Sequence, residues 1–279
     1  MDKYISHYSV MLDDCLEALN EYIDPTRDEL VFADMTFGGG GHTLAFAKNF
    51  KNAHIYSVDQ DMDAIHNGLS KIESESFSNR IFLNKMNYEQ FPNWFIENYP
   101  NSKLDAVVMD LGVSSHHFDK DERGFSFRND APLDMRMDYT DENLPNAADV
   151  LNSLDEEDIA DIIYKYGEDR FSRRIAAEIV SFRKTKPLET TKELENIVFH
   201  AYPKNLRHKK THPATRTFQA LRIYVNRELE VLENACIYFL IDEYENLLEN
   251  QKMLLHSQLI LKLYVLHSKM ISIMVYVVG

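Results

Sequence analysis

Glu29-Leu30-Val31-Phe32-Ala33-Asp34 runs through Met35 into Thr36-Phe37-Gly38-Gly39-Gly40-Gly41-His42-Thr43. A short, wholly apolar run that ends on an acid reads as a strand buried on both faces, the strand type of parallel sheets. The glycines after it let backbone approach a ligand closely where a helix, expected near 43–50, begins. Working outward, His54–Asp59 reads as a second strand, Met62–Ile72 as a helix, Arg80–Asn84 as a third strand and Leu104–Asp110 as a fourth. Strands alternating with helices predict an α/β fold, a Rossmann-like parallel sheet covered on both faces. Ligands of such sheets sit beyond the carboxyl ends of the strands, where Asp34, Asp59 and Asp110 all fall.

Composition narrows the class. The 279 residues carry 30 Lys+Arg against 45 Asp+Glu, net −15, with 44% hydrophobic residues and two cysteines, Cys15 and Cys236. These values exclude collagen-like, mucin-like and disulfide-framework proteins and leave no cysteine-based zinc site. Residues 1–7 lack a signal-peptide pattern, so a cytoplasmic location is expected; no membrane association and no metal are expected either. An acidic total also means that any nucleic-acid surface must be local.

Capping-box patterns at Ser153–Glu156 and Thr190–Glu193 predict helix starts, and Phe171, Ile175, Ile179 and Phe182 trace one apolar helical face. The reading is a sheet domain over 1–139, a helical insertion over 140–210 and a return to the first domain over 211–279. Residues 112–138 read as an ordered functional loop.

The glycine run departs from the dinucleotide fingerprint, because Thr43 stands where G-x-G-x-x-G requires its third glycine. Asp59 follows Gly38 by 21 residues, at a strand end where a carboxylate accepts ribose hydroxyls. A ligand with a ribose and no pyrophosphate fits that pair, and S-adenosylmethionine is the candidate. A nicotinamide-dependent oxidoreductase is the competing class.

Five segments then stand in order: Thr36–His42, Asp110-Leu111-Gly112-Val113-Ser114-Ser115, Glu122–Phe127, Pro132–Asp138 and His212-Pro213-Ala214-Thr215-Arg216-Thr217-Phe218-Gln219-Ala220-Leu221-Arg222. Together they resemble the RsmH/MraW family of ribosomal small-subunit RNA methyltransferases, from about Tyr4 to Glu233. The resemblance implies a class I S-adenosylmethionine-dependent methyltransferase fold with an inserted helical substrate-recognition domain. It implies methyl transfer to the N4 amine of a cytidine in the decoding centre of 16S rRNA, with the small ribosomal subunit as partner. The positions it carries over for the cofactor are Gly40, Gly41, His42, Asp59, Tyr88, Asp110 and His117. His116 and His117 stand where the family commonly has proline and glutamine.

A cytosine amine is a weak nucleophile, so an acceptor that orients it and takes its proton helps the transfer. Asp110 is the candidate, for cofactor binding or for orienting the amine, alongside a purely structural strand-end role. Phe125 and Phe127 are candidates for stacking on an everted base, and equally for anchoring their loop. From Asn196 to Arg227 there is no Asp or Glu, while Lys204, Arg207, Lys209, Lys210, Arg216, Arg222 and Arg227 are basic. Such a stripe in an acidic chain suits RNA phosphates, with Lys209, Lys210 and Arg216 as substrate contacts. Arg123, Arg128 and Arg136 are candidates to extend it.

Beyond Glu233 the family's pattern stops. The tail is apolar with no acid after Glu249; Met270–Gly279 reads as a buried strand, and the tail as a whole reads alternatively as the product of a frame change. The alternative to an active enzyme is therefore a homologue that binds S-adenosylmethionine and RNA with impaired catalysis. Either could form oligomers.

Overall fold

A computed structural model describes residues 9–112, 121–235 and 272–277, the last by backbone alone. Leu30–Asp34 (β1), Ala53–Asp59 (β2), Ile81–Lys85 (β3) and Ala106–Leu111 (β4) pair in parallel in the order β3-β2-β1-β4. Ser272–Val277 (β5) joins β4 antiparallel, with Asp110 opposite Ile273. Ser272–Val277 thus contributes the sheet's fifth strand.

The alternation of side chains divides the core between the two sheet faces. Leu30, Phe32, Ile55 and Val108 pack with Cys15 and Leu19 of Leu12–Tyr22 (α1), Phe46 of Gly41–Asn49 (α2) and Ile72 of Met62–Ser74 (α3). Val31, Ala33, Tyr56, Val58 and Met109 pack on the other face with Phe91 and Phe95 of Phe91–Asn98 (α4). All five β1 residues are buried, which is why the run reads as continuous rather than alternating. Each fully buried Leu, Ile or Phe contributes about 1.5–3 kcal/mol.

Chain order fixes where the cleft lies. The chain builds outward from β1 to β2 and β3, then returns to place β4 on the other side of β1. The carboxyl ends of β1 and β4 therefore flank the point where the order reverses.

The described residues fall into two compact units, one from Met1–Ser114 and Glu230–Gly279, the other from Ser115–Leu229. The second extends past 140–210 at both ends. It contains Ala147–Ser153 (α5), Glu156–Gly167 (α6), Ser172–Arg183 (α7), Thr191–Ala201 (α8) and Ala214–Val225 (α9). Ile159, Ile163, Ile175, Ile179, Leu194, Val198 and Leu221 form its apolar interior. A Cβ on Gly167 would lie 2.6 Å from the Arg216 carbonyl oxygen, so α6 and α9 meet backbone to side-chain position there.

The Thr190–Glu193 capping box forms as expected. The Ser153 box does not. Ser153 ends α5 and its hydroxyl donates back to the Asp149 carbonyl at 2.7 Å, while Asp155 begins α6. A box that the sequence reading passed over caps α5 instead, Asn146 with Asp149.

Candidate functional site

Backbone after β1 stays tied to both neighbouring strands. The Met35 amide donates to the Val108 carbonyl at 2.9 Å and the Phe37 amide to that of Val58 at 3.0 Å. Gly40 then closes a tight turn onto the Phe37 carbonyl at 2.7 Å with φ 78°. A Cβ on Gly40 would lie 2.6 Å from Phe37 Cζ, and one on Gly41 would lie 1.8 Å from Ser9 Oγ. Only glycine fits both places, because Phe37 and Ser9 already fill the space that a side chain would need.

Asp59 organises the loop from the end of β2. Its Oδ2 accepts from the Gly38 amide at 2.7 Å and its Oδ1 from the Asp61 amide at 2.8 Å. Each carboxylate oxygen can accept more than one hydrogen bond, so both can also serve ribose hydroxyls. Lys71 of α3 holds the loop from outside, donating to the Gly39 carbonyl at 2.9 Å. Tyr88 follows β3 half-buried against the aromatic core face. The Asn87–Gln60 hydrogen bond at 3.2 Å and the Met86 amide on the Asp59 carbonyl at 3.0 Å draw its turn towards the end of β2.

Asp34 differs from the other strand-end acids. It is fully buried and accepts from the Thr43 hydroxyl at 2.6 Å and the Thr36 amide at 3.1 Å. Thr43 Oγ1 also lies 2.8 Å from Ser57 Oγ. Thr43 thus fastens α2 to β1 and β2 by hydrogen bonds where a dinucleotide site would use glycine to bring helix and strand together. The departure noted in the sequence has a structural job.

Asp110, one residue before the end of β4, is half-buried, its amide donating to Thr36 Oγ1 at 2.7 Å. Among the described residues, nothing donates to its carboxylate. Burial pushes its pKa from 3.8 to about 6, with His42 pulling down and Asp34 pushing up. His42 is itself buried, its Nε2 3.2 Å from the Val10 carbonyl. Burial, then Asp110, Asp14 and Asp34, raise the Cys15 thiol to about 12, so it stays protonated and inert. Gly40, Gly41 and His42 follow β1 into the start of α2, Asp59 ends β2, Tyr88 lies just after β3 and Asp110 lies near the end of β4, so all six are at the carboxyl edge of the sheet. His117 lies outside the described residues.

These residues fit S-adenosylmethionine. A half-buried carboxylate without a donor suits a cationic sulfonium, and Asp59 suits a ribose.

The second unit sorts the RNA candidates. Phe125 is buried, whereas Phe127 is half-buried with its ring 4.9 Å from both His212 and Phe218. Arg136 closes its own loop through a paired hydrogen bond to Asp134 at 2.8 and 2.9 Å and bonds to the Asp141 and Leu144 carbonyls. Arg123 is buried, donating to the Arg136 and Met137 carbonyls, and Arg222 pairs with Glu228 at 2.7 and 3.0 Å. The loop's guanidinium groups at 123 and 136 turn inward because its backbone carbonyls need donors. Lys209, Lys210 and Arg216 are exposed. The supporting roles of Thr36, Thr43 and Lys71 were not read from the sequence, although Thr36 lies within the quoted glycine motif.

No helix among the described residues is long and apolar enough to cross a membrane. The MraW methylase family matches residues 4–252, beyond the point at Glu233 where the motifs stop. A relative from Finegoldia magna, named ribosomal RNA small subunit methyltransferase H, is 41% identical over 82% of this chain and 70% of its own. One of the same name from Treponema denticola is 41% identical over 81% and 69%. Among solved structures, an rRNA methylase from Streptococcus thermophilus aligns at a TM-score of 0.29 with 18% identity, over 55% of this chain and 84% of that one. That likeness is too loose to add to the argument. Matched over most of its length, the chain belongs to the MraW methylase family and is an S-adenosylmethionine-dependent methyltransferase.

Proposed function

We propose that this chain methylates the N4 amine of a cytidine in the decoding centre of the small-subunit 16S rRNA. An RNA substrate of the small subunit accords with the names of its relatives. The atom and the base are what the family resemblance implies, and the strand-end carboxylate is compatible with them. The observation that carries it is the Asp110 carboxylate, half-buried at the strand-order reversal with no donor among the described residues.

S-adenosylmethionine supplies an electrophilic methyl group on a sulfonium. The loop that Gly40 and Gly41 shape meets it at the start of α2, Asp59 orients its ribose, and Tyr88 flanks its adenine. Alignment of amine, methyl and sulfur is the main requirement of an in-line displacement. Asp110 accepts a hydrogen bond from the cytosine amine at a carboxylate oxygen and takes its proton as the new bond forms. With a pKa of about 6 it is mostly ionised at neutral pH, yet basic enough to hold that proton transiently. Phe127, with ring surface still exposed, is the more accessible of the two loop aromatics for a base, and Lys209, Lys210 and Arg216 take phosphates.

The test is transfer of labelled methyl groups from S-adenosylmethionine to unmodified small subunits, followed by nucleoside analysis. N4-methylcytidine is expected. Donor binding without transfer would point to the impaired homologue and overturn the proposal.

A further inference from the structure

α7 starts against electrostatic expectation. Its first turn holds Arg173 and Arg174 and no acid, at the helix end whose dipole disfavours cations. Arg170, Arg173 and Arg174 are all exposed. Among the described residues, neither Arg173 nor Arg174 forms an ion pair or side-chain hydrogen bond, although Glu178 stands one turn beyond Arg174.

The contacts around it gather more cations. Arg170 lies 4.8 Å from the Phe171 ring centroid, and Phe171 packs on Tyr202 at 4.7 Å. The Tyr202 hydroxyl donates to buried Asp169, and Asp169 in turn accepts from the Phe171 amide at 2.9 Å. The Tyr202 carbonyl takes Arg207 Nε at 2.9 Å. Arg216 reaches the Glu168 carbonyl at 2.8 Å. Burial, then Asp169, raise the Tyr202 phenol, and Arg216 and Arg170 pull it back. Arg207 and Arg216 bond only to backbone carbonyls, which leaves their charge uncompensated by any carboxylate partner among the described residues.

From these contacts we infer that Arg170, Arg173 and Arg174, with Arg207 and Arg216, form a phosphate-binding face for the RNA backbone. The inference rests on the proposed RNA substrate and deepens it. It joins the turn between α6 and α7 to the acid-free stretch 196–227, although the two are separate in sequence. Guanidinium forks match phosphate oxygens in pairs, and contacts of this kind fix register without reading bases. The placement of Arg173 and Arg174 costs the helix stability and provides charge where a polyanion docks.

The experiment compares wild type with Arg173→Glu/Arg174→Glu and Arg173→Lys/Arg174→Lys. It measures Kd for protein-free 16S RNA and for unmodified small subunits across a salt series. The Glu pair is expected to weaken both at least about tenfold and to flatten the log–log salt slope by about two. The Lys pair is expected to keep that slope. S-adenosylmethionine affinity should not change, and the Glu pair should melt no lower than wild type because acids suit the first turn. If the Glu pair does not fold, Arg173→Gln/Arg174→Gln serves the same purpose. An unchanged RNA Kd and slope overturns the inference, as does weakening confined to assembled subunits, which would mark a protein contact. Wild-type protein that binds RNA through this face yet transfers no methyl group would overturn the proposed reaction alone.

Discussion

At the scale of single residues, Asp110 joins structure to chemistry. Its raised pKa means that the folded chain holds this proton more tightly than the unfolded chain does. The stabilisation it contributes is therefore present below the ordinary value of 3.8 and lost as pH rises through about 6. Activity should run the other way, because the ionised carboxylate is the acceptor. The kcat/KM of the wild type is expected to fall as pH drops below about 6. Asp110→Asn should lower kcat by about 100-fold or more, remove that acid limb and raise stability at pH 7 relative to wild type. A pH–rate profile with parallel melts checks all three. Gly40→Ala tests the loop in a different way. Its φ of 78° and the 2.6 Å approach to Phe37 should cost about 1–2 kcal/mol and raise the donor Kd, as read by denaturant melts and a binding titration.

At the scale of elements, helix ends give the sharpest tests. Glu168 ends α6 in the left-handed region at φ 49° without being glycine. Glu168→Gly should stabilise the second unit by about 1 kcal/mol and also remove an acid from a helix C-terminus. Thr190→Ala should cost about 1 kcal/mol by opening the box with Glu193, whose Oε2 accepts from the Thr190 amide at 3.2 Å. Thermal melts of the two variants should move in opposite directions. The same elements mark what the sequence discloses. Strands β1 to β4 were legible within two residues because continuous apolar runs have few other uses. Thr190 and Glu193 were legible because their box is local. Ser153 misled because its hydroxyl had a nearer acceptor in the preceding turn, the Asp149 carbonyl.

At the scale of the molecule, the strand-end acids could be placed at the ligand edge from sequence because parallel topology leaves them nowhere else. Their separate roles could not. That Asp34 is sealed by Thr43 while Asp110 lacks a donor among the described residues depends on side-chain contacts between strands far apart in sequence. Arg136 likewise looked free for RNA until its loop was seen folded around it. The fifth strand matters at this scale too. β5 covers the β4 edge, so removing 272–279 should lower the melting temperature and promote association through the bared strand, as followed by light scattering. The central claim is that the cleft at the carboxyl ends of β1, β2 and β4 serves methyl transfer to a cytidine amine. The most direct measurement is mass spectrometry of nucleosides from unmodified small subunits incubated with the protein and S-adenosylmethionine. The account predicts N4-methylcytidine with wild type and its near absence with Asp110→Asn. A methyl group on another atom, or equal yields from both proteins, would contradict it.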